Sequence, residues 1–233
     1  MKIRELRLQK EFQRMCKLDE DHPHKLFDFL CADLSSLEAA EFLKSSVSIE
    51  VIEQALPGYL TPAEFKRRMP GRAPEKYLIE YRCAGLAMTD TGGVGAHEKH
   101  RMSVIFKYDY PSKPPMLIWH TPLWHPNIRP PGVCPHGRKF AVSVPLDQIV
   151  LTVGEMVQYR NFNLSDPFNH DAAAWARQNL DKFPVDRRDL LDGRKLVNTR
   201  APVAAGVPDM LVELLDAPLA GPTGATSLIE LLE

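Results

Sequence analysis

Cys134 is the residue of this chain best placed for covalent chemistry. It lies between Gly132 and Pro135, inside a proline-rich segment from Thr121 to Pro145 that shows no helical or strand periodicity. Long segments without regular structure tend to be functional. A thiol titrates at about 8.5, so a small fraction is thiolate at neutral pH and can exchange acyl groups. The other cysteines lie in apolar-periodic segments, which predicts small buried side chains: Cys16, Cys31 and Cys83.

Two other side chains could support a reaction at this sulfur. Asn127 carries an amide that could donate to a developing oxyanion, and losing one such donor elsewhere slows a reaction by about 100- to 1,000-fold. The same amide could instead brace the loop through local backbone hydrogen bonds. Asp166 could position an incoming lysine amine and favour its unprotonated form, because that amine titrates at about 10.4. Its alternative role is to cap a helix that begins in Ser-Asp-Pro.

Hydrophobic periodicity predicts the elements that must position these residues. Apolar residues recur at helical spacing at 2–18, at 24–55, from residue 146 onward and around 172–175. Alternation typical of strands occurs at 77–83, 102–108 and 116–121. Thr61-Pro62 resembles a helix start. The predicted fold is α+β, with an N-terminal helix, a helical insert, an antiparallel meander sheet, a long loop around Cys134 and C-terminal helices.

Composition and charge limit the partners and the location. The chain has 233 residues, with 29 basic and 30 acidic side chains and a net charge of -1. This balance predicts no nucleic-acid partner, and no apolar run approaches the length of about 20 residues that crosses a bilayer. The N-terminus lacks the continuous apolar stretch of a secretory signal, so we expect a cytoplasmic protein without a membrane partner.

The chain is predicted to contain one domain and a tail. The domain covers 1–195 and includes the helical insert at about 20–75. Residues 196–233 are rich in small residues, proline and glycine, which predicts a flexible tail. Two short apolar pieces in it, 210–215 and 228–232, could dock on a partner.

Four motifs, taken in order, resemble the active-site region of ubiquitin-conjugating enzymes. They are Tyr-Pro-Ser-Lys-Pro-Pro at 110–115, Trp-His-Pro-Asn-Ile at 124–128, Gly-Val-Cys at 132–134 and Ser-Asp-Pro-Phe-Asn-His-Asp-Ala-Ala at 165–173. The resemblance covers roughly residues 76–182, and also residues 2–18 by position as the first helix.

The chain departs from the family pattern in three places. It has one residue fewer between Asn127 and Cys134, it has Ser-Val-Pro-Leu at 143–146 where a tryptophan is common, and its 20–75 segment is longer. It is similar in this to the conjugating-like proteins of bacterial ubiquitination-like operons. That likeness implies a bacterial pathway with a role in antiviral defence.

The family resemblance implies a function and a set of site residues. Cys134 would accept a ubiquitin-like modifier protein as a thioester from an activating enzyme and pass it to the lysine of a protein substrate. His125 would brace the loop, Asn127 would brace it or donate to the oxyanion, and Asp166 would lie at the mouth of the site. The first helix would contact the activating enzyme, and the sheet would gain a fourth strand. No cofactor and no metal is implied.

Three other functions are compatible with these residues. Zinc could be held by imidazole and thiolate ligands from His120, His125, Cys134 and His136, although their spacing matches no closed zinc motif. A non-catalytic module of the same fold could bind a ubiquitin-like protein without reacting, although such variants typically lack the cysteine. A serine or cysteine hydrolase is the third, but His136 is too near in sequence to reach Cys134 easily and the chain has no Gly-x-Ser-x-Gly motif.

Overall fold

The computed structural model describes residues 2–36, 40–45, 47–134 and 141–197. The helices are α1 (Ile3–Asp21), α2 (Ala40–Lys44), α3 (Ile49–Ala55), α4 (Pro62–Arg68), α5 (Leu146–Val157) and α6 (His170–Arg177). The strands are β1 (Phe27–Ala32), β2 (Lys76–Tyr81), β3 (Gly85–Met88), β4 (Val94–His97), β5 (His100–Ile105), β6 (Met116–Trp119), β7 (Ile128–Arg129) and β8 (Gly132–Val133).

An antiparallel four-stranded sheet in the order β1-β2-β5-β6 forms the centre of the fold. The β3-β4 hairpin interrupts the meander between β2 and β5, and β7-β8 is a separate two-residue ladder. Every residue of β2 and β5 is buried. The α+β fold with a meander sheet is therefore confirmed, as are the helices expected at 2–18, at Thr61-Pro62 and from residue 146.

The main core lies between one face of the sheet, helix α1 and helix α5. Helix α5 is apolar around most of its circumference, and its inward side chains Val150, Val153 and Val157 join the same buried cluster as Tyr77 and Val104 of the sheet. Burial of each such aliphatic side chain stabilises the fold by about 1.5–3 kcal/mol. Helix α5 therefore packs against one face of the sheet, and this packing fixes the positions of both ends of the helix.

A buried carboxylate on α1 holds the N-terminus of α5. Glu11 is 2% exposed and accepts from the Leu146 N–H at 2.8 Å and from the Tyr110 hydroxyl at 3.1 Å. The Arg7 guanidinium lies 2.7 Å from the same side chain. Pro145 occupies the N-cap position of α5 and offers no side-chain acceptor, so Glu11 satisfies an N–H that would otherwise lack a partner. This links α1, the 110–115 loop and α5.

A second, smaller core covers the opposite face of the sheet. Leu30 and Leu78 of the sheet pack with Leu43, Ile49 and Ile52 of helices α2 and α3. Beside them, Arg101 and Glu80 form a buried ion pair with a distance of 2.7 Å. Arg101 also donates to backbone carbonyls at the end of α2, among them that of Ser45 at 2.6 Å. The helices of the 20–75 segment are thus packed onto the sheet.

The prediction of one helix over 24–55 is wrong for residues 27–32, which form strand β1. Phe27 and Phe29 face the main core, whereas Leu30 and Ala32 face the second core. A strand buried on both faces has a continuous apolar run in place of alternation, and such a run cannot be told from a helix by periodicity. This strand is the fourth member of the sheet that the family resemblance implied.

Two further expectations concern the tail and the membrane. The predicted tail 196–233 lies outside the described residues apart from Leu196 and Val197, and the division into a domain and a tail stays a prediction. Within the described part of the chain, no helix is both long and apolar enough to span a bilayer.

Candidate active site

A short hairpin positions Cys134 next to Asn127. Ile128 pairs with Val133 and Arg129 with Gly132, so that the two ends of the segment 127–134 meet. The Cys134 N–H donates to the Asn127 carbonyl at 2.9 Å. The side chain of Cys134 is partly exposed, whereas the three other cysteines are buried. We call this segment the thiol hairpin.

The Asn127 side chain is fully buried and binds the backbone of a distant loop. Its Nδ2 donates to the Asn163 carbonyl at 3.0 Å, and its Oδ1 accepts from the Asn163 N–H at 2.7 Å. Such a reciprocal pair fixes the amide plane and connects the thiol hairpin to the chain that follows α5. Of the two possibilities for Asn127, this geometry matches the bracing role.

His125 is also fully buried and lies under the start of the thiol hairpin. Its Nδ1 accepts from the Asn127 N–H at 3.0 Å, and its ring packs edge-on against Tyr159 with ring centres 4.7 Å apart. Burial lowers the pKa of His125 to about 3, so the imidazole is neutral at neutral pH. Because Nδ1 accepts, the ring proton resides on Nε2. A neutral, enclosed imidazole of this kind can support the backbone of the loop, which is the role that the resemblance implies for His125.

The segment 161–169, here called the crossover segment, is held against the thiol hairpin at its far end as well. The N–H groups of Phe168 and Asn169 both donate to the Pro126 carbonyl, at 2.8 and 2.7 Å. The Phe168 ring lies directly over Gly132, where an added Cβ would be only 2.6 Å from ring atom Cε1. The crossover segment is therefore bonded to residues 126 and 127 and packed on residue 132.

Asp166 lies in the crossover segment between the two attachment points at Asn163 and Phe168, and it is exposed. Helix α6 is capped by Asn169, whose side chain accepts from the Ala172 N–H at 3.2 Å. The alternative reading of Asp166 as the helix cap is therefore wrong. An exposed carboxylate on a fixed segment is accessible to a partner's amine.

Sequence reasoning missed two residues that shape this site. Asn163 binds both Asn127 and the following turn, and its only signal was its place three residues before Asp166 in an Asn-rich loop. Tyr159 adopts a left-handed backbone conformation with φ 56° and donates from its hydroxyl to the Trp124 carbonyl. No pattern in the sequence indicates that conformation for a tyrosine.

The zinc hypothesis concerned four residues, of which the structure describes His120, His125 and Cys134. His120 Nε2 lies 2.8 Å from the Ser103 hydroxyl, and His125 Nδ1 accepts from the backbone. His136 lies in the segment 135–140, outside the described residues. Among the residues that are described, no three His, Cys, Asp or Glu side chains are grouped as metal ligands would be.

Residues 82–189 match the family model described as ubiquitin-conjugating enzyme, and this range contains the thiol hairpin and the crossover segment. The expected resemblance to ubiquitin-conjugating enzymes is thereby confirmed over this range, which is somewhat less than half of the chain.

Two curated relatives from Caenorhabditis elegans are similar to this chain. The SUMO-conjugating enzyme UBC9 is 29% identical over 103 residues, which are 41% of this chain and 58% of that protein. The probable ubiquitin-conjugating enzyme E2 7 is 34% identical over 94 residues, 34% of this chain and 56% of that protein. The chain thus spans a little over half the length of either relative. A solved structure described as a novel ubiquitin-conjugating enzyme aligns with 77% of this chain and 89% of its own, at 16% identity and a TM-score of 0.42.

Proposed function

We propose that this protein is a conjugating enzyme for a ubiquitin-like modifier. It accepts the modifier from an activating enzyme as a thioester on Cys134 and transfers it to a lysine amine. The observation that carries the proposal is the partly exposed Cys134, which the thiol hairpin bonds to Asn127 beside a fixed crossover segment. The two large partners of a carrier enzyme must reach its thiol in turn, and exposure at the end of a braced hairpin permits this.

Two exchange steps account for the transfer. Cys134 Sγ attacks the carbonyl carbon of the thioester that joins the modifier to the activating enzyme, and the thiolate of that enzyme leaves. A lysine nitrogen then attacks the same carbon on Cys134. The C–N bond forms, the C–S bond breaks, and the departing thiolate takes up the proton that the nitrogen releases.

The side chains around Cys134 have separate roles in this proposal. Asp166 is exposed, so an incoming ammonium group can reach its carboxylate, which orients the nitrogen and favours the free amine. Asn127 and His125 keep the thiol hairpin in shape, through the bonds to Asn163 and to the backbone described above. Because the loop is already formed, less entropy is lost when the reacting groups are brought into position for the attack.

A charging assay tests the proposal. The full chain is mixed with a candidate modifier, its activating enzyme and ATP, and the expected product is a band that a thiol reductant removes. Cys134→Ser should give a band that resists the reductant, because serine forms an oxyester, and Cys134→Ala should give none. Cys16→Ala, which removes a buried thiol from the core, is the matched control and should charge normally.

The same assay separates the proposal from its alternative. If the purified chain binds a modifier but never forms an adduct at Cys134 with any activating enzyme, it is a non-catalytic binding module and the proposed reaction is wrong. We place the reaction in the cytoplasm. The bacterial pathway and its role in antiviral defence stay predictions, to be checked by whether genes for a modifier and an activating enzyme neighbour this one.

A further inference from the structure

Asn163 bonds in two directions at the centre of the crossover segment. Its backbone N–H and carbonyl bind the Asn127 side chain, as described above. Its own side-chain Oδ1 accepts from the Ser165 N–H at 2.8 Å, the Ser165 hydroxyl at 2.7 Å and the Asp166 N–H at 3.2 Å. Asparagine commonly organises turns by accepting from N–H groups two or three residues on. Here that turn contains Asp166.

We infer that Asn163 is a positioning residue that fixes the Asp166 carboxylate relative to Cys134. The inference rests on the proposed function and assigns the residue through which the carboxylate is held. A continuous series of hydrogen bonds connects the two: Cys134 N–H to the Asn127 carbonyl, the Asn127 amide to the Asn163 backbone, and Asn163 Oδ1 to the Asp166 N–H.

The backbone around Asp166 is restrained on both sides. Its N–H is held by Asn163, and Pro167 restricts the residue before it to extended conformations. Two residues later, the Phe168 N–H binds the Pro126 carbonyl at 2.8 Å. The side chain itself extends into solvent, so its position depends on this backbone. A displacement of about 1 Å in such a group can slow a reaction by about 100-fold.

Three substitutions isolate the Asn163 side chain. Asn163→Ala removes the acceptor for Ser165 and Asp166 but keeps the backbone bonds to Asn127. Asn163→Asp keeps an acceptor oxygen at the same place, so it should retain the discharge to lysine that Asn163→Ala loses. Ser165→Ala is the matched control, because it removes only the hydroxyl and leaves both N–H donors of the turn in place.

The test is single-turnover discharge of the preformed Cys134 thioester to two nucleophiles. Free lysine is mostly protonated at neutral pH and needs the carboxylate, whereas hydroxylamine is unprotonated and does not. In Asn163→Ala, charging and hydroxylamine discharge should stay at the wild-type rate, and lysine discharge should fall by about 10- to 100-fold. Asn163→Asp and Ser165→Ala should discharge to lysine within about twofold of the wild type.

A double mutant then tests whether Asn163 acts through Asp166. In an Asp166→Ala background, Asn163→Ala should cause no further loss of lysine discharge, because the group it positions is already gone. Additive losses would overturn the inference, as would equal slowing of both nucleophiles, failed charging of Asn163→Ala alone, or lysine discharge at the wild-type rate. Failure of the wild-type chain to charge at all would instead refute the proposed function.

Discussion

Gly132→Ala should destabilise the protein only while Phe168 is present. The new Cβ would lie 2.6 and 2.9 Å from two Phe168 ring atoms, and 3.4 Å from the Arg129 carbonyl oxygen. Carbon atoms pack at about 3.5–4.0 Å, so the ring must recede by about 1 Å. The ring is 43% exposed and can move, which places the cost at about 1–2 kcal/mol, in the lower part of the range for overpacking. For a domain of this size, Tm should fall by about 2–8 °C.

A double-mutant cycle gives the sharper form of this prediction. In a Phe168→Ala background, Gly132→Ala should be neutral or stabilising by about 0.4–1 kcal/mol, because alanine reduces the freedom of the unfolded chain and meets no ring. The assay is thermal or urea unfolding of all four proteins. Equal destabilisation by Gly132→Ala in both backgrounds would show that the ring is not the obstacle and would refute the reasoning.

Three other predictions concern buried charges and the pH dependence of stability. Glu11→Ala should cost about 1–3 kcal/mol in urea unfolding, because it leaves the Leu146 N–H without its acceptor. Lowering pH from about 6.5 towards 3 should reduce the free energy of unfolding, because His125 takes up a proton only when unfolded, its pKa being about 3 in the fold against 6.5 outside. His125→Gln should therefore show a shallower pH slope over that window, and an unchanged slope would contradict the assignment. Arg101→Leu alone should cost about 3–5 kcal/mol by stranding Glu80, and the double variant with Glu80→Leu should recover much of it in the same unfolding assay.

Most of the sheet and helices could be predicted because apolar residues recur along them with a regular period. This holds for β2 and β5 although both of their faces are buried, since one face carries charged residues such as Glu80 and Arg101. Strands β2 and β5 and helices α1 and α5 follow from the periodicity of their apolar residues. Strand β1 could not, since Phe29 enters one core and Leu30 the other, which removes the alternation on which strand prediction depends. Only knowledge of what covers the second face of the sheet separates a strand from a helix there.

The structure brings Cys134 and Asn127 together, but the hydrogen bonds that hold the candidate site could not be predicted from the sequence. The ordered motifs pointed to Cys134 and Asn127, yet the reciprocal bonds between Asn127 and Asn163 join residues 36 apart in sequence, which no local pattern indicates. The alternative role of Asp166 as a helix cap is contradicted, because the cap is Asn169, three residues later. Ser-Asp-Pro has the composition of a helix start, but the helix begins only after Asn169, because the N–H groups of Phe168 and Asn169 bind the Pro126 carbonyl.

The covering of the sheet's second face has a consequence for how far this domain can be shortened. If helices α2 and α3 were removed, Leu30 and Leu78 would face water, and Arg101 would lose the carbonyls at the end of α2. Exposed apolar surface, next to a guanidinium that has lost hydrogen-bond partners, favours aggregation over folding. Helices α2 and α3 are therefore a structural part of the domain, because the strands beneath them carry apolar residues that need this cover.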